Sequence, residues 1–435
     1  MMQDSFLNQG LQIANKQTDI STWTVLHPVE ILSGYMPVFV AALVATLIAT
    51  PIVRRVAVAA DIIDHPDHER KQHAYPIAYL GGLAIFFGVL VGIAASAIFS
   101  SGQVAALQGV PASVVVGMMA IVFTGLADDI WKWDPRLKIA GQLVAAAALA
   151  IEDVGPQLAA GVLSAMCGEP NDILFSIGAF HVPNAELYYW IGTAITAIFV
   201  IGGCNAANLI DGLDGLLTGT ATIMAVGFLA ISLLMAYALP VENPETSLAG
   251  TRIILSLILL GTTLGFLPYN FNPAVIFLGD CGSLLIGFLS VVIIMTFGEL
   301  GTTKYSVAGL ICFGLPILDT TLAIIRRKVA GLSMSDADSN HIHHRLKRYF
   351  GGSVRKSVLT LYSIAAGFTI IGVGMTAILL LTTVKGIVVE SGFLAAYLLV
   401  VVFALKRGLR LEWIKKERAK NPELREVLAQ KQNKS

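Results

Sequence analysis

Four polar clusters hold the side chains in this sequence that could do chemistry. They are GLADDIWKWDPRLK (Asp128, Asp129, Lys132, Lys138), NAANLIDGLDGL (Asn205, Asn208, Asp211, Asp214), YNFNPAVIFLGDCGS (Asn270, Asn272, Phe277, Asp280, Ser283) and HIHHRL (His341, His343, His344, Arg345). Adjacent carboxylates such as Asp128 and Asp129 raise each other's pKa unless a cation lies between them. The pair reads either as a solvated stop at a membrane edge or, with two lysines following, as part of a phosphate-plus-metal site. Asp211 and Asp214 share a face if helical. Each is followed by glycine, which also suits an ordinary turn or a backbone held close to a ligand. Asp280 lies in a glycine-flanked turn before an apolar run. There it, or Ser283, could cap a helix, or it could hold a hard cation: Mg²⁺ takes one or two carboxylates and leaves its other positions to water and substrate phosphates.

The histidine cluster lacks the longer spacings and the cysteine pair of common zinc sites. A solvated loop is one alternative. A basic anion cradle fits better, because Arg326, Arg327, Lys328, Arg345, Lys347 and Arg348 surround it. Imidazole and guanidinium donors bind phosphate oxygens through charge-assisted hydrogen bonds. Asp319 stands apart inside an apolar stretch. An intramembrane carboxylate is a functional candidate by default, and an anchor for a basic neighbour such as Arg326 is the equal alternative.

These clusters must be positioned by membrane helices. The 435-residue chain is 55% hydrophobic and 13% charged, against roughly 25% charged in a soluble domain, and its mean hydropathy is +0.74. Eleven apolar stretches are expected to span: 36–53, 78–99, 112–126, 139–151, 187–201, 216–239, 253–267, 284–297, 307–325, 358–381 and 387–405. Several fall short of the ~20 residues of a full crossing, and the fourth is the least secure. Lysine and arginine mark the cytoplasmic side. With the N-terminus outside, the basic residues gather in inner loops and in the tail from Lys406, leaving only Lys16, Arg252, Lys304 and Lys385 elsewhere. All four clusters then fall on the inner side. The expectation is an all-α polytopic membrane protein of about eleven transmembrane helices with a cytoplasmic C-terminus. Residues 1–35 form an outer segment without a cleaved signal peptide, 36–405 the membrane domain, and 406–435 a basic tail suited to anionic lipid headgroups. The stretch from Glu152 to Glu186 is acidic and lies outside. Net charge is zero, so bulk charge says nothing about partners; no nucleic-acid partner is expected. The four cysteines suggest neither metal nor disulfide.

In this order the clusters resemble the polyprenyl-phosphate N-acetylhexosamine-1-phosphate transferases, glycosyltransferase family 4, over about Asp64 to Leu346. DHPDHERKQHAYPIAYLGG is similar to that family's first inner loop, and ADD, NLIDGLDGL and FLGDCGS to its further motifs. HIHHRL resembles the branch that transfers N-acetylglucosamine 1-phosphate to undecaprenyl phosphate. The muramoyl-pentapeptide branch, the nearer alternative, tends toward three consecutive histidines.

The resemblance implies phosphoryl transfer from a UDP-N-acetylhexosamine to undecaprenyl phosphate in the inner (plasma) membrane, with the site facing the cytoplasm. It implies Mg²⁺, with Mn²⁺ as a substitute, on Asp280 with Asp128 and Asp129 nearby. Lys71, Lys132 and Lys138 would hold the lipid phosphate. Asn208, Asp211, Asp214, Asn270 and Phe277 would line the nucleotide pocket, and His341, His343, His344 and Arg345 would bind diphosphate or sugar. A covalent aspartyl phosphate on Asp128 or Asp129 stays open, as does a homodimer. In another class, a cation-coupled transporter would use Asp319 and glycine-broken helices. It predicts charge near the midplane and an inverted repeat, whereas most ionisable groups here cluster at one face and no repeat stands out.

Overall fold

The structure is a computed structural model. It describes residues 28–64, 76–99, 107, 109–151, 158, 172–177, 180–239, 247–298, 303–330 and 341–382, and scattered positions between 388 and 406. In chain order the helices are α1 (Pro28–Ala59), α2 (Gly81–Phe99), α3 (Ala112–Trp131), α4 (Pro135–Ile151), α5 (Asn184–Ile210), α6 (Leu216–Ala238), α7 (Ala249–Asn270), α8 (Gly279–Thr296), α9 (Lys304–Cys312), α10 (Gly314–Ala330), α11 (Ile342–Tyr349) and α12 (Val354–Leu381). Two small antiparallel hairpins accompany them: β1 (Ile63–Asp64) with β2 (Ile77–Ala78), and β3 (Ile173–Ile177) with β4 (Phe180–Pro183). The second hairpin falls in the stretch expected to be an outer loop.

Among the described residues eight helices are long and apolar enough to cross a membrane, or nine spans if α9 and α10 form one broken span. The chain is therefore a mostly helical polytopic membrane protein. Where eleven straight spans are expected, two differ in kind. The fourth stretch folds as α4, whose 17 residues reach about 26 Å at ~1.5 Å per residue. The ninth breaks by 76° between α9 and α10. Pro316 sits in the first turn of α10, where a missing amide hydrogen costs nothing, so the sequence permits a fresh start there. The eleventh stretch lies largely outside the described residues.

The bundle is organised around α8. Its sequence, GDCGSLLIGFLSVVIIMT, is apolar on all sides, and such a helix is buried. Every residue of α8 except Asp280 is buried. It packs against α2, α3, α5, α6, α7 and α9, while α1 leans on α2 and α7, α4 on α3 and α5, and α12 on α6 and α9. Only 33% of the apolar window of α1 and of α12 is buried. Their exposed Val40, Ile48, Ile370 and Ile371 face outward, as a lipid-facing surface requires.

Small residues let these helices approach, since lipid supplies no hydrophobic drive between them. At the α5–α8 crossing a Cβ on Gly287 would lie 2.6 Å from the Gly203 carbonyl oxygen and 2.7 Å from Cys204 Cα. Backbone cannot yield as a flexible side chain can. Gly287→Ala should therefore destabilise the purified protein by about 1–3 kcal/mol, the usual cost of overpacking. Gly374→Ala on α12, where an added Cβ meets nothing within 4 Å, should be neutral or slightly stabilising. Melting temperatures in detergent check the contrast.

Candidate functional site

The polar clusters meet at one end of the bundle. α3 ends in a left-handed residue, Lys132 (φ 54), whose amide closes on the Asp128 carbonyl. Asp134 then accepts from the Arg136 amide at 2.8 Å, and Pro135 opens α4, a position that suits its fixed φ. This tight reversal carries Lys138 back onto the end of α3. Its ammonium lies 3.0 Å from Asp128 Oδ2 and also bridges to Asp280 Oδ2. Asn208, in the last turn of α5, donates to Asp280 Oδ1 at 2.8 Å and to Ser283 Oγ at 2.9 Å. Three side chains from three other helices, Asp128, Lys138 and Asn208, are thus gathered around the Asp280 carboxylate.

Asp129 has a different role. Its Oδ1 accepts from the Asp280 amide at 2.8 Å and its Oδ2 from the Cys281 amide at 3.0 Å. The first amides of a helix lack intrahelical partners, and the partial positive charge there favours a carboxylate. Asp129 therefore caps α8 from another helix, a task for which the sequence offered Asp280 or Ser283 as one alternative. Gly279 must be glycine: its φ is +73°, and a Cβ would lie 2.6 Å from Asp129 Oδ2.

The segment between α1 and α2 is joined at its end to the same place. Ala78 bridges Ile276 in parallel, the Phe277 amide donates to the Ala78 carbonyl at 2.8 Å, and the Gly81 and Gly82 amides donate to the Phe277 and Leu278 carbonyls. This brings Tyr79 edge-on to Phe277, ring centroids 5.8 Å apart. The Lys132 ammonium stands 5.5 Å from the Tyr79 ring centroid. Lys71 lies outside the described residues.

A cleft of about 300 Å³ opens here, lined by Tyr79, Asn208, Asp211, Asp214, Phe277 and Asp280 among others. Asp211 follows the last residue of α5, and its carboxyl is pushed up to about 8, first by burial and then by the charges of Asp280, Asp129 and Asp214. Burial, with the nearby carboxylates, also holds the Tyr79 phenol above its usual range, so it stays a neutral hydroxyl. Asp214 spends Oδ2 on the Asn272 side chain (2.8 Å) and the Ala274 amide (3.1 Å). Asn270 also lines the cleft, yet its amide is engaged internally with Thr218 Oγ1 and the Ile276 carbonyl. Both hold the loop that carries Phe277.

The histidines form the first turn of α11 rather than a loop. The His343 ring is buried and packs directly on Gly212, where a Cβ would overlap its Nε2. His341 stacks on His343 at 5.5 Å and 11°, and His344 lies 4.2 Å from His343. Burial, then the neighbouring His341, Arg348 and Lys347, holds the His344 imidazole below its usual range. It is therefore mostly neutral near pH 7. Arg345 continues α11, half-buried, with its amide on the His341 carbonyl at 3.1 Å. Asp319, weighed as an anchor for an arginine, accepts from His341 Nδ1 and from the Ile342 amide, each at 2.8 Å.

Among the described residues no three acidic, histidine or cysteine side chains converge to hold an ion by themselves. The donor set is instead one or two carboxylate oxygens beside an open cleft, which fits a hard cation that draws its other ligands from water and phosphate. Sequence reasoning assigned no role to Tyr79 or to Gln142, which accepts from Asn205 at 2.9 Å. The signal for Tyr79 was its place just before the Gly-Gly pair, and for Gln142 its polarity within an alanine-rich run.

The raised Asp211 carboxyl makes a prediction. An acid whose folded pKa lies above its unfolded value of 3.8 stabilises least once ionised, so its contribution falls as pH rises from about 4 to about 8. Without divalent cations, Asp211→Asn should raise the melting temperature, and by more at pH 8 than at pH 5. An equal shift at both would count against the coupling.

The sequence pattern of glycosyl transferase family 4 matches residues 111–298. The chain is 36% identical over 336 residues to a Bacillus subtilis protein described as "probable undecaprenyl-phosphate N-acetylglucosaminyl 1-phosphate transferase", covering 76% of this chain and 82% of that one. It is 33% identical over 344 residues to the decaprenyl-phosphate N-acetylglucosaminephosphotransferase of Mycolicibacterium smegmatis, covering 74% and 77%. It is 28% identical over 360 residues to the undecaprenyl-phosphate alpha-N-acetylglucosaminyl 1-phosphate transferase of Escherichia coli K12, covering 81% and 83%. With the four clusters gathered at one end of the bundle and relatives this similar over most of its length, the chain belongs to glycosyl transferase family 4.

Proposed function

We propose that this protein transfers N-acetylglucosamine 1-phosphate from a UDP-sugar to undecaprenyl phosphate at the cytoplasmic face of the plasma membrane, releasing UMP. The names of the relatives support the reaction. The observation that carries it is the meeting of Asp128, Lys138, Asn208 and Asp280 at one end of the bundle, with His343 packed on the neighbouring Gly212.

The basic inner loops support the orientation. The site-side ends of α3 and α5 meet, so α4, though short, must return the chain to the far side. A crossing by α4 and one by the broken α9–α10 pair would agree with the expected eleven spans and an outer N-terminus, the last of those spans resting on the sequence alone.

In the reaction a lipid-phosphate oxygen bonds to the β-phosphorus of the nucleotide sugar. The bond to the α-phosphate breaks, and its electron pair leaves on UMP. The second pKa of a phosphate monoester is near ~6, so the attacking oxygen is already largely ionised and needs little help from a base. What remains is to bring two anions together and neutralise them. When bound, Mg²⁺, or Mn²⁺ in its place, would supply that neutralisation. Asp280, with Asp128 or Asp211, would hold it. Asp129, both of whose oxygens are committed to amides, aims Asp280. Lys138 and Lys132, with Lys71, take the lipid phosphate. Phe277 and Tyr79 offer a wall for the uracil, above Asn208 and Asp211. The stacked histidines and Arg345 face the diphosphate and sugar as hydrogen-bond donors.

Membranes containing the protein should release UMP from UDP-N-acetylglucosamine when given undecaprenyl phosphate and Mg²⁺. Asp280→Asn or EDTA should reduce this at least a hundredfold. Near-normal turnover in the variant would remove Asp280 from the centre of the site. Gly212→Ala should lower kcat/KM at least tenfold by displacing His343. In a His343→Ala background the same change should cost nothing more, and a multiplicative loss there would refute the contact as its cause.

A further inference from the structure

We propose that Asp319 is a positioning residue for donor recognition, acting through His341. This rests on the reaction proposed above. Asp319 lies in α10, 1% exposed, where a carboxylate is expensive to bury and needs compensation. It receives two hydrogen bonds, both from the start of α11: His341 Nδ1 and the Ile342 amide. The amide is one that α11 leaves without a helical partner. An ionised carboxylate only accepts, so Asp319 fixes the proton of His341 on Nδ1. The ring so oriented stacks on His343, and His343 rests on Gly212, next to Asp211 in the cleft. A continuous line of buried contacts thus runs from the span carrying Asp319 to the wall of the cleft. None of these residues touches Lys138 or Lys132 in the contacts described above, so the line serves the nucleotide-sugar side and not the lipid phosphate.

Asp319→Asn separates position from proton placement. The asparagine oxygen can still accept from Ile342, but its NH₂ now meets Nδ1 and demands the opposite tautomer of His341. The full-length protein, purified in detergent, is assayed for UMP release with each substrate varied in turn. Asp319→Asn should lower kcat/KM for UDP-N-acetylglucosamine at least tenfold, leave KM for undecaprenyl phosphate within twofold, and leave the melting temperature unchanged. Combined with His341→Ala it should be no worse than His341→Ala alone. His341→Asn, whose NH₂ can still donate to Asp319, should exceed His341→Ala at least fivefold in donor kcat/KM; this comparison stands even if Asp319→Asn fails to fold. Donor kinetics unchanged by Asp319→Asn, equal losses for both substrates, multiplicative losses in the double variant, or equality of the two His341 variants would overturn the inference. An active wild type with any of these results sinks the inference alone. A wild type that releases no UMP sinks the proposed reaction and this inference with it.

Discussion

The reactive end of this protein depends on one carboxylate giving both its oxygens to the first amides of a helix that is not its own. Those amides are buried by neighbouring helices and would be costly to leave unpaired. Asp129 pairs them from α3, and its charge suits the positive end of α8. Once α3 and α8 are joined there, much else is determined. Gly279 must turn through a left-handed conformation above the Asp129 oxygens. Asp280 becomes the one residue of α8 that is not buried. Lys138 and Asn208, arriving from α4 and α5, then have a fixed target.

The acidic residues divide into those that hold backbone and those that face the cleft. Asp129, Asp214 and Asp319 each receive a main-chain amide, from α8, from the loop before Phe277 and from α11 respectively. Hydrogen bonds of this kind stabilise the charged form where burial opposes it. Asp128, Asp211 and Asp280 keep their company with a lysine, with one another and with the opening. A protein that must present negative charge to a cation, yet assemble its helices in a medium hostile to charge, uses some carboxylates as structural pins so that others remain available.

Much of this was legible in the sequence because polar residues are rare in it. ADD, NLIDGLDGL, FLGDCGS and HIHHRL stand out against apolar runs, and lysine and arginine sort the loops by side, so the convergence of distant segments could be anticipated. What could not be read were the pairings. Nothing in the spacing of Asp128 and Asp129 says that one turns toward Lys138 while the other turns toward the amides of α8. Asp319 gave its burial but not its partner, since Arg326 is nearer in sequence than His341. The bend before α10 was hidden because Pro316 fits the start of a helix as easily as a kink. The β1–β2 hairpin, two residues per strand, leaves no periodicity to detect, although its bonds to residues 276–278 place Tyr79. The exact set of crossings was obscured for the opposite reason: α4, at 17 residues, is an ordinary interior helix and a short crossing alike.

The wrapping of α8 has a consequence for how the molecule meets different membranes. A bilayer that thins or thickens acts on the helices that acyl chains wet, by tilting them or by deforming around them. Among the described spans α1 and α12 are the least buried, at 33% of their apolar windows, with α5 next at 39%. The helix α8, which carries Asp280 in its first turn, is sheathed by other helices, with 94% of its apolar window buried. The spacing of Asp280, Lys138 and Asn208 is therefore set by contacts within the protein, and strain from the surrounding lipid is absorbed at the periphery before it reaches them.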